Sequence, residues 1–393
     1  MSKIIRGYKY MIYPTEDQVN KLDKFTNLFR YVYNWGVAKE RERYEQYQNG
    51  NDEYGFYSFY DLCQMLTIER NNNPELRWLQ ELPLTTARLA LRNVVIAYKK
   101  FFKGVTKFPK FLSKKKRKPS FNTRADRFKI LNNSIKIEGI NDNIDLGFNS
   151  GLDLNKCINP TISKDNLGNY YVSFSLEEES KNLDIPKTEG IGIDLGVRRT
   201  FTLSTGEIYN QPKEKLDKLE KRRRKQQRHV TRDINRRFEE SKRTKTKYED
   251  IPKSKRAIKR ENKLKRTYRK IHNIKDTFYH TITKQIAMRN PEFVCMETFR
   301  VSEMGKQKNH MYKILNDTSF YDIIQKMQYK CSVYDIPFVQ APQEFPSTKK
   351  CSNCGRTKYM GSKHIYACPV CGMKKDRDIN AAINLRNYGS QFI

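Results

Sequence analysis

The chain is short of acid for the amount of base it carries. Asp and Glu number 44 against 77 Lys and Arg, which leaves a formal net charge of +33 over 393 residues. A surplus of that size destabilises a compact chain by self-repulsion unless a polyanion neutralises it, and nucleic acid is the natural one. An anionic membrane is the alternative, but no apolar run approaches the ~18 residues that a spanning helix needs. The opening MSKIIRGYKYMIYP also lacks the apolar stretch and small-residue cleavage site of a secretory leader. The expectation is a soluble intracellular protein, cytoplasmic and nucleoid-associated when bound. Cysteine is sparse too. Eight in a chain of this length are too dilute for a disulfide scaffold, and Cys63, Cys157, Cys295 and Cys331, scattered in apolar surroundings, read as buried thiols. Aromatics are not lacking: 24 Tyr and 21 Phe argue against a disordered chain. The length allows two or three domains.

Residues 1–14 read as a strand ending at Pro14. From Thr15 to about residue 48 the apolar positions Val19, Leu22, Phe25, Phe29 and Val32 recur at helical spacing. Further helices are expected near 57–70 and 85–103, the second capped by Thr85 or Thr86. Residues 103–129 then carry 11 Lys or Arg with Asp126 the lone acid, and Phe108, Phe111, Phe121 and Phe128 interleave with them. Aromatics among cations at this density offer stacking platforms beside phosphate contacts. Alternating segments to about 185 predict a small β-domain, completed by the first strand. From Glu189 the pattern changes to EGIGIDLGV, a buried-type strand, followed by two more strands. Residues 213–270 hold 26 Lys or Arg against 9 acids and predict polar helices around a breaker at IPKSK. An amphipathic helix near 271–289, a strand at EFVCMETF, a helix near 319–333 and a strand at IPFVQA complete the order βββ-α-β-α-β, then α. That is the order of a ribonuclease-H-like layered fold.

Two motifs carry chemistry. Cys351, Cys354, Cys368 and Cys371 form C-x2-C, thirteen residues, C-x2-C, the spacing of a four-thiolate zinc site, structural because no ligand position stays open. Asp194 ends GIGID, Glu297 ends FVCME, and Asp376 and Asp378 open the last helix. Each has an ordinary alternative as a cap or ion-pair partner. Three acids converging at one end of a sheet can instead hold two divalent ions, and hard oxygen ligands suit Mg²⁺ or Mn²⁺.

These residues resemble the TnpB family, transposon-encoded RNA-guided DNA endonucleases related to compact type V CRISPR effectors. The likeness runs nearly end to end. YKYMIYPTEDQ is similar to the family's opening, and AYKKFFKG with FPKF to its junction of recognition helices and wedge domain. GIDLGVRRTFTLSTGE and FVCMETF resemble the first two RuvC motifs, with HNIKDTFYHTITKQIA before the second. The segment from PSTKKCSNCG to DRDINAAINL resembles the zinc ribbon plus third motif. METF departs from the pattern, since Asp or Asn more often follows the Glu. The resemblance implies an α/β and α+β multidomain chain: a wedge-like β-domain over 1–14 and 105–185, a helical recognition domain over 15–104, a RuvC nuclease domain over 186–347 and 373–393, and a zinc ribbon over 348–372. It implies Asp194, Glu297 and Asp378 as catalytic ligands of Mg²⁺ or Mn²⁺, with Asp376 as helix cap, and a monomeric ribonucleoprotein that binds guide RNA and cuts double-stranded DNA beside a short motif. Candidate nucleic-acid contacts are Lys110, Lys114, Lys115, Lys116, Arg117, Arg222, Arg223 and Arg224, with Tyr31 and Asn34 toward the target duplex. A guide-directed repressor without cleavage and a protein-only transposase of the ribonuclease-H class are the rival readings.

Overall fold

The computed structural model describes residues 3–50, 56–81, 83–114, 117–147, 157–298, 319–359, 361 and 363–393. The chain divides into two units, Ile5–Glu178 and Met1–Ile4 with Glu179–Ile393. Among the described residues no helix is long and apolar enough to cross a membrane.

The first unit combines helices with two sheets. Strand β1 (Lys3–Ile12) leads to α1 (Glu16–Gln48), a 33-residue helix. Thr15 starts it with a capping box: its hydroxyl accepts from the Gln18 amide, and the Gln18 side chain accepts from the Thr15 amide. Leu22, Phe25, Phe29 and Val32 are all buried along one face, as their spacing predicts. Helices α2 (Phe59–Asn72) and α3 (Leu84–Phe102) pack beside it. The start of α3 differs from expectation. It follows Pro83 without a side-chain cap, because Thr85 gives its hydroxyl to Glu138 and Thr86 is buried. Strands β2 (Ser120–Asn122), β3 (Phe128–Leu131), β4 (Ser134–Ile137), β5 (Ile144–Asp145), β6 (Ile158–Lys164) and β7 (Tyr170–Glu179) form sheets of order β1-β7-β6-β2 and β3-β4-β5.

Glu40 is a charged residue inside this core, 1% exposed, where it accepts the Tyr57 amide. Burial pushes its carboxyl up to about 7, against the Tyr57 amide and Arg43. A folded-state value above the unfolded one means that protonation favours the fold. That contribution is present in full below the ordinary value of 4.5 and lost as pH climbs through 7. Glu40→Gln is therefore expected to raise the melting temperature of this unit by several degrees at pH 8, on the order of 2 kcal/mol, and to match wild type only below the ordinary value of 4.5. Thermal melts in the two pH regimes check it; equal shifts in both would contradict it.

The second unit is built on a five-stranded sheet. Strands β8 (Ile191–Asp194), β9 (Phe201–Leu203) and β10 (Ile208–Tyr209) run antiparallel in succession. After α4 (Lys213–Thr244) and α5 (Lys255–Ala287), β11 (Val294–Glu297) lies parallel to β8. Following α6 (Phe320–Val333), β12 (Phe338–Ala341) lies parallel to β11, giving the order β10-β9-β8-β11-β12. The expected polar helices and the amphipathic helix near 271–289 differ from this: α5 runs unbroken from the one into the other. Hairpin β13 (Ile365–Ala367) and β14 (Lys374–Asp376) precedes α7 (Arg377–Gly389). Ile191, Ile193, Val294 and Met296 pack on one face with α5 and α6, whereas Cys295, Ala341 and Leu385 of α7 form the core of the other.

Candidate active site

Strand alternation decides where the acids point. Ile191 and Ile193 face the α5–α6 side, so Gly192 and Asp194 face α7; on the neighbouring strand Cys295 and Glu297 do the same. Ile193 pairs with Met296, so the next residue of each strand, Asp194 and Glu297, ends its strand on the same face. Helix α7 lies close because the strand has no side chain beneath it. A Cβ at Gly192 would come within 2.0 Å of the Ala382 carbonyl oxygen and 2.4 Å of the Arg386 amide nitrogen. Gly192→Ala is expected to destabilise this unit by more than ~3 kcal/mol, since backbone rather than a flexible side chain must yield. A melting curve within a degree of wild type would contradict that packing.

The third acid comes with the helix. Asp376 caps α7, its Oδ1 accepting from the amides of Asp378 (3.0 Å) and Ile379 (3.3 Å). Asp378 thus sits in the first turn. Arg199 Nη1 holds Asp376 at 2.7 Å and reaches Asp378 at 3.6 Å, while Arg377 Nε donates to Asp378 at 3.3 Å. Asp194, Glu297 and Asp378 line one open cleft of about 1320 Å³ with Arg198, Arg199, Gln343, Ser347, His364 and Arg377.

The electrostatics of the cleft floor call for cations. Burial first, then the charges of Asp378 and Glu297, push the Asp194 carboxyl up to about 8 against the pull of Arg377. Burial likewise raises Glu297 to about 7, opposed by the Ser347 hydroxyl, which donates to its Oε2 at 3.4 Å. Buried carboxylates that repel one another gain most from a shared divalent ion, and their hard oxygens suit Mg²⁺ or Mn²⁺. The three acids are spread around the cleft floor more widely than 4.8 Å, the spacing within which all four cysteine sulfurs lie. Ligands divided between two ions tolerate a wider spread than ligands of one.

The cysteines form a separate centre. Cys351 Sγ lies 3.6 Å from Cys371 Sγ, and Cys354 Sγ 3.5 Å from Cys368 Sγ. A tetrahedral zinc site with Zn–S near 2.3 Å has sulfur edges of about 3.8 Å, so the residues fit the ion. Each knuckle closes on a glycine of positive φ, Gly355 (76°) and Gly372 (70°), whose amides return to Cys351 and Cys368. Two asparagines, buried on α7, bolt this centre to the helix. Asn380 donates to the Lys350 carbonyl (2.7 Å) and accepts from the Ser352 amide (2.9 Å); Asn384 donates to the Ser347 and Lys350 carbonyls.

The candidate nucleic-acid residues divide. Lys110, Lys114, Arg117, Arg222 and Arg224 are exposed, and Lys115 and Lys116 lie outside the described residues. Arg223 donates to Glu220 and to the Tyr268 hydroxyl, a tie between α4 and α5. Asn34 spends both amide groups on the Leu112 backbone, and Tyr31 packs edge-on against Trp78 at 5.2 Å. Sequence reasoning missed Arg199, Arg377, Ser347, Asn380 and Asn384. Arg377, between two aspartates, and the i, i+4 asparagines were the available signals.

Family models match three stretches. The OrfB_IS605 model, described as "Probable transposase", covers residues 173–307, which contain Asp194 and Glu297. The model "Cas12f1-like, TNB domain" covers 320–385, which contain Asp378 and all four clustered cysteines. A "Helix-turn-helix domain" model covers 1–49, where the chain forms a strand and one continuous helix. A Streptomyces pristinaespiralis protein provisionally named RNA-guided DNA endonuclease is 27% identical over 99% of this chain and 90% of its own. The Escherichia coli K12 protein InsQ, with the same provisional name, is 25% identical over 98% and 93%. The chain is similar along nearly its whole length to RNA-guided DNA endonucleases of the TnpB kind. The fold agrees: the cryo-EM structure of a Cas12f1–sgRNA–target DNA complex superposes with a TM-score of 0.60 at 12% identity, covering 98% of this chain and 99% of that one. The mini-RNA-guided endonuclease Cas_phi3 superposes with 0.53 at 11%, over 98% and 92%.

Proposed function

We propose that this chain is an RNA-guided DNA endonuclease whose second unit is a ribonuclease-H-like RuvC domain. The observation that carries the reading is the convergence of Asp194, Glu297 and Asp378 on one cleft, from two adjacent strand ends and a helix start. Two Mg²⁺ or Mn²⁺ ions held there would activate water and stabilise the leaving oxygen of a phosphodiester. The chain's own groups prepare the site. Ser347 orients Glu297, and Arg199 and Arg377 hold Asp378 between them. Arg198 and Lys349 add positive charge along the cleft for a phosphate backbone. The relatives named RNA-guided DNA endonuclease support the reading, as does composition. A protein that delegates sequence recognition to base pairing needs backbone contacts in bulk, and a surplus of +33 supplies them. Guide RNA is assigned to the exposed cations of 103–129 and 213–270, and the zinc centre to a structural role. The working form is a monomeric ribonucleoprotein.

The test is to purify the chain, sequence the RNA that accompanies it, and incubate the ribonucleoprotein with a matching DNA duplex and Mg²⁺. Cleavage that depends on the RNA supports the proposal. Stable target binding with intact DNA would favour the repressor reading, and cleavage by RNA-free protein the transposase reading.

A further inference from the structure

In the first unit a pocket of about 390 Å³ opens between α1 and the basic segment that follows Leu112. Its size lies within the range of small-ligand sites, about 300–1,000 Å³. Its walls are of two kinds. Phe29, Leu112 and Pro119 supply an apolar side, and Arg30, Lys114, Arg117, Lys118 and Lys164 a cationic one. Asp23 is the single lining carboxylate, and it is already taken: Lys164 Nζ reaches its oxygens at 2.7 and 3.0 Å, and the Tyr170 hydroxyl donates at 2.6 Å. No ion pair among the described residues uses Arg30, Lys114, Arg117 or Lys118. Arg30 Nε is buried with no hydrogen-bond partner, a donor whose desolvation nothing offsets. Thr26, which donates its hydroxyl to the Leu22 carbonyl, keeps acceptor capacity toward the pocket, and Asn27 also lines it. The segment is pinned so that this space persists, because Asn34 grips the Leu112 amide and carbonyl at 2.7 and 3.2 Å.

A bare inorganic anion would use the cations and waste the apolar wall; an apolar ligand would leave four cations and Arg30 Nε unmatched. A planar heterocycle joined to a phosphate uses both. Single-stranded loops and bulges of RNA present such a unit, with an unstacked base and its own phosphate. We propose that this pocket receives one unstacked nucleotide of the bound RNA, its base against Phe29, Leu112 and Pro119, its phosphate toward Arg30, Arg117 and Lys118. The assignment rests on the RNA-guided reading and adds to it a discrete site where surface charge alone would give a diffuse contact.

The experiment uses the full chain purified with its RNA. Irradiation at 254 nm followed by mass spectrometry is expected to place a ribonucleotide adduct on the peptides bearing Phe29 or residues 117–120. Thr26→Trp, which fills the pocket, is expected to remove that adduct and weaken binding of the same RNA 10- to 100-fold. The slope of log Kd against log salt should fall by about one, because the expelled nucleotide takes its phosphate contact with it. Arg30→Met, a second variant that keeps the side-chain stem, should weaken binding about tenfold if Thr26→Trp melts below wild type. Adducts confined to other peptides, with wild-type affinity in both variants, would overturn the pocket and leave the RNA-guided reading standing. A deoxyribonucleotide adduct would overturn the RNA assignment. Wild-type protein that retains and binds no RNA would overturn the functional reading itself.

Discussion

Asp194→Asn is expected to lower DNA cleavage by at least ~10³-fold while leaving RNA retention unchanged and, without divalent ions, raising stability. A thousandfold corresponds to about 4 kcal/mol of transition-state stabilisation, the scale on which a metal ligand acts. The stability effect has the opposite sign because Asp194 is buried among like charges, and its carboxyl is pushed up to about 8. A raised folded-state value means that the neutral form favours the fold and that its contribution fades as pH rises through 8. The isosteric amide is always neutral. The variant should therefore melt well above wild type at pH 9 and converge with it only below the ordinary value of 3.8, and Mn²⁺ should raise the melting temperature of wild type only. Unchanged cleavage would remove Asp194 from the chemistry. Cleavage lost together with stability at every pH would make it a structural residue.

Loss of zinc is expected to act in the reverse order, on structure first. Structural Zn²⁺ sites contribute apparent binding energies of about 10–16 kcal/mol, comparable with the whole stability of a domain. The residues that follow Ser347 have little apolar core: Cys351, Tyr366, Cys368 and partly buried Met373. Their position depends on the thiolates and on four hydrogen bonds with Asn380 and Asn384, three donated by the asparagines and one accepted from the Ser352 amide. Cys351→Ser should abolish stoichiometric zinc by elemental analysis and lower the melting temperature of the second unit by ten degrees or more. Cleavage should fall with it, because β14 runs directly into the cap of α7. A zinc-free variant with wild-type melting and RNA binding would show that the thiolates do not hold the fold.

The four-cysteine centre and the acids belong together for a reason visible partly in the sequence. DRDINAAINL places an aspartate cap, a second aspartate in the first turn, and asparagines at i and i+4 that look like ordinary helix-surface residues. Only the folded chain shows those asparagines buried and turned onto the backbone around Cys351, so that one helix fixes both centres. The sheet was legible because IGID and VCME alternate apolar and special residues at period two, and the order of elements limited the topology. Long-range polar partners were not legible. Nothing in GVRRT tells that Arg199 returns to Asp376, 177 positions away, or that Asn34 serves Leu112. The start of α3 failed for a related reason: a threonine is a good cap in isolation, and Thr85 had a better partner in Glu138. The merging of two expected helices into α5 reflects the weakness of periodicity as a guide to where a polar helix ends.

The central claim is that Asp194, Glu297 and Asp378 hold divalent cations together. An anomalous difference map of the Mn²⁺-loaded ribonucleoprotein at the manganese edge tests it most directly. Two peaks about 3.5–4 Å apart, flanked by carboxylate oxygens of all three residues, are the expected result. A cleft without an anomalous peak, or manganese bound elsewhere with Arg199 and Arg377 still closed on Asp378, would contradict it.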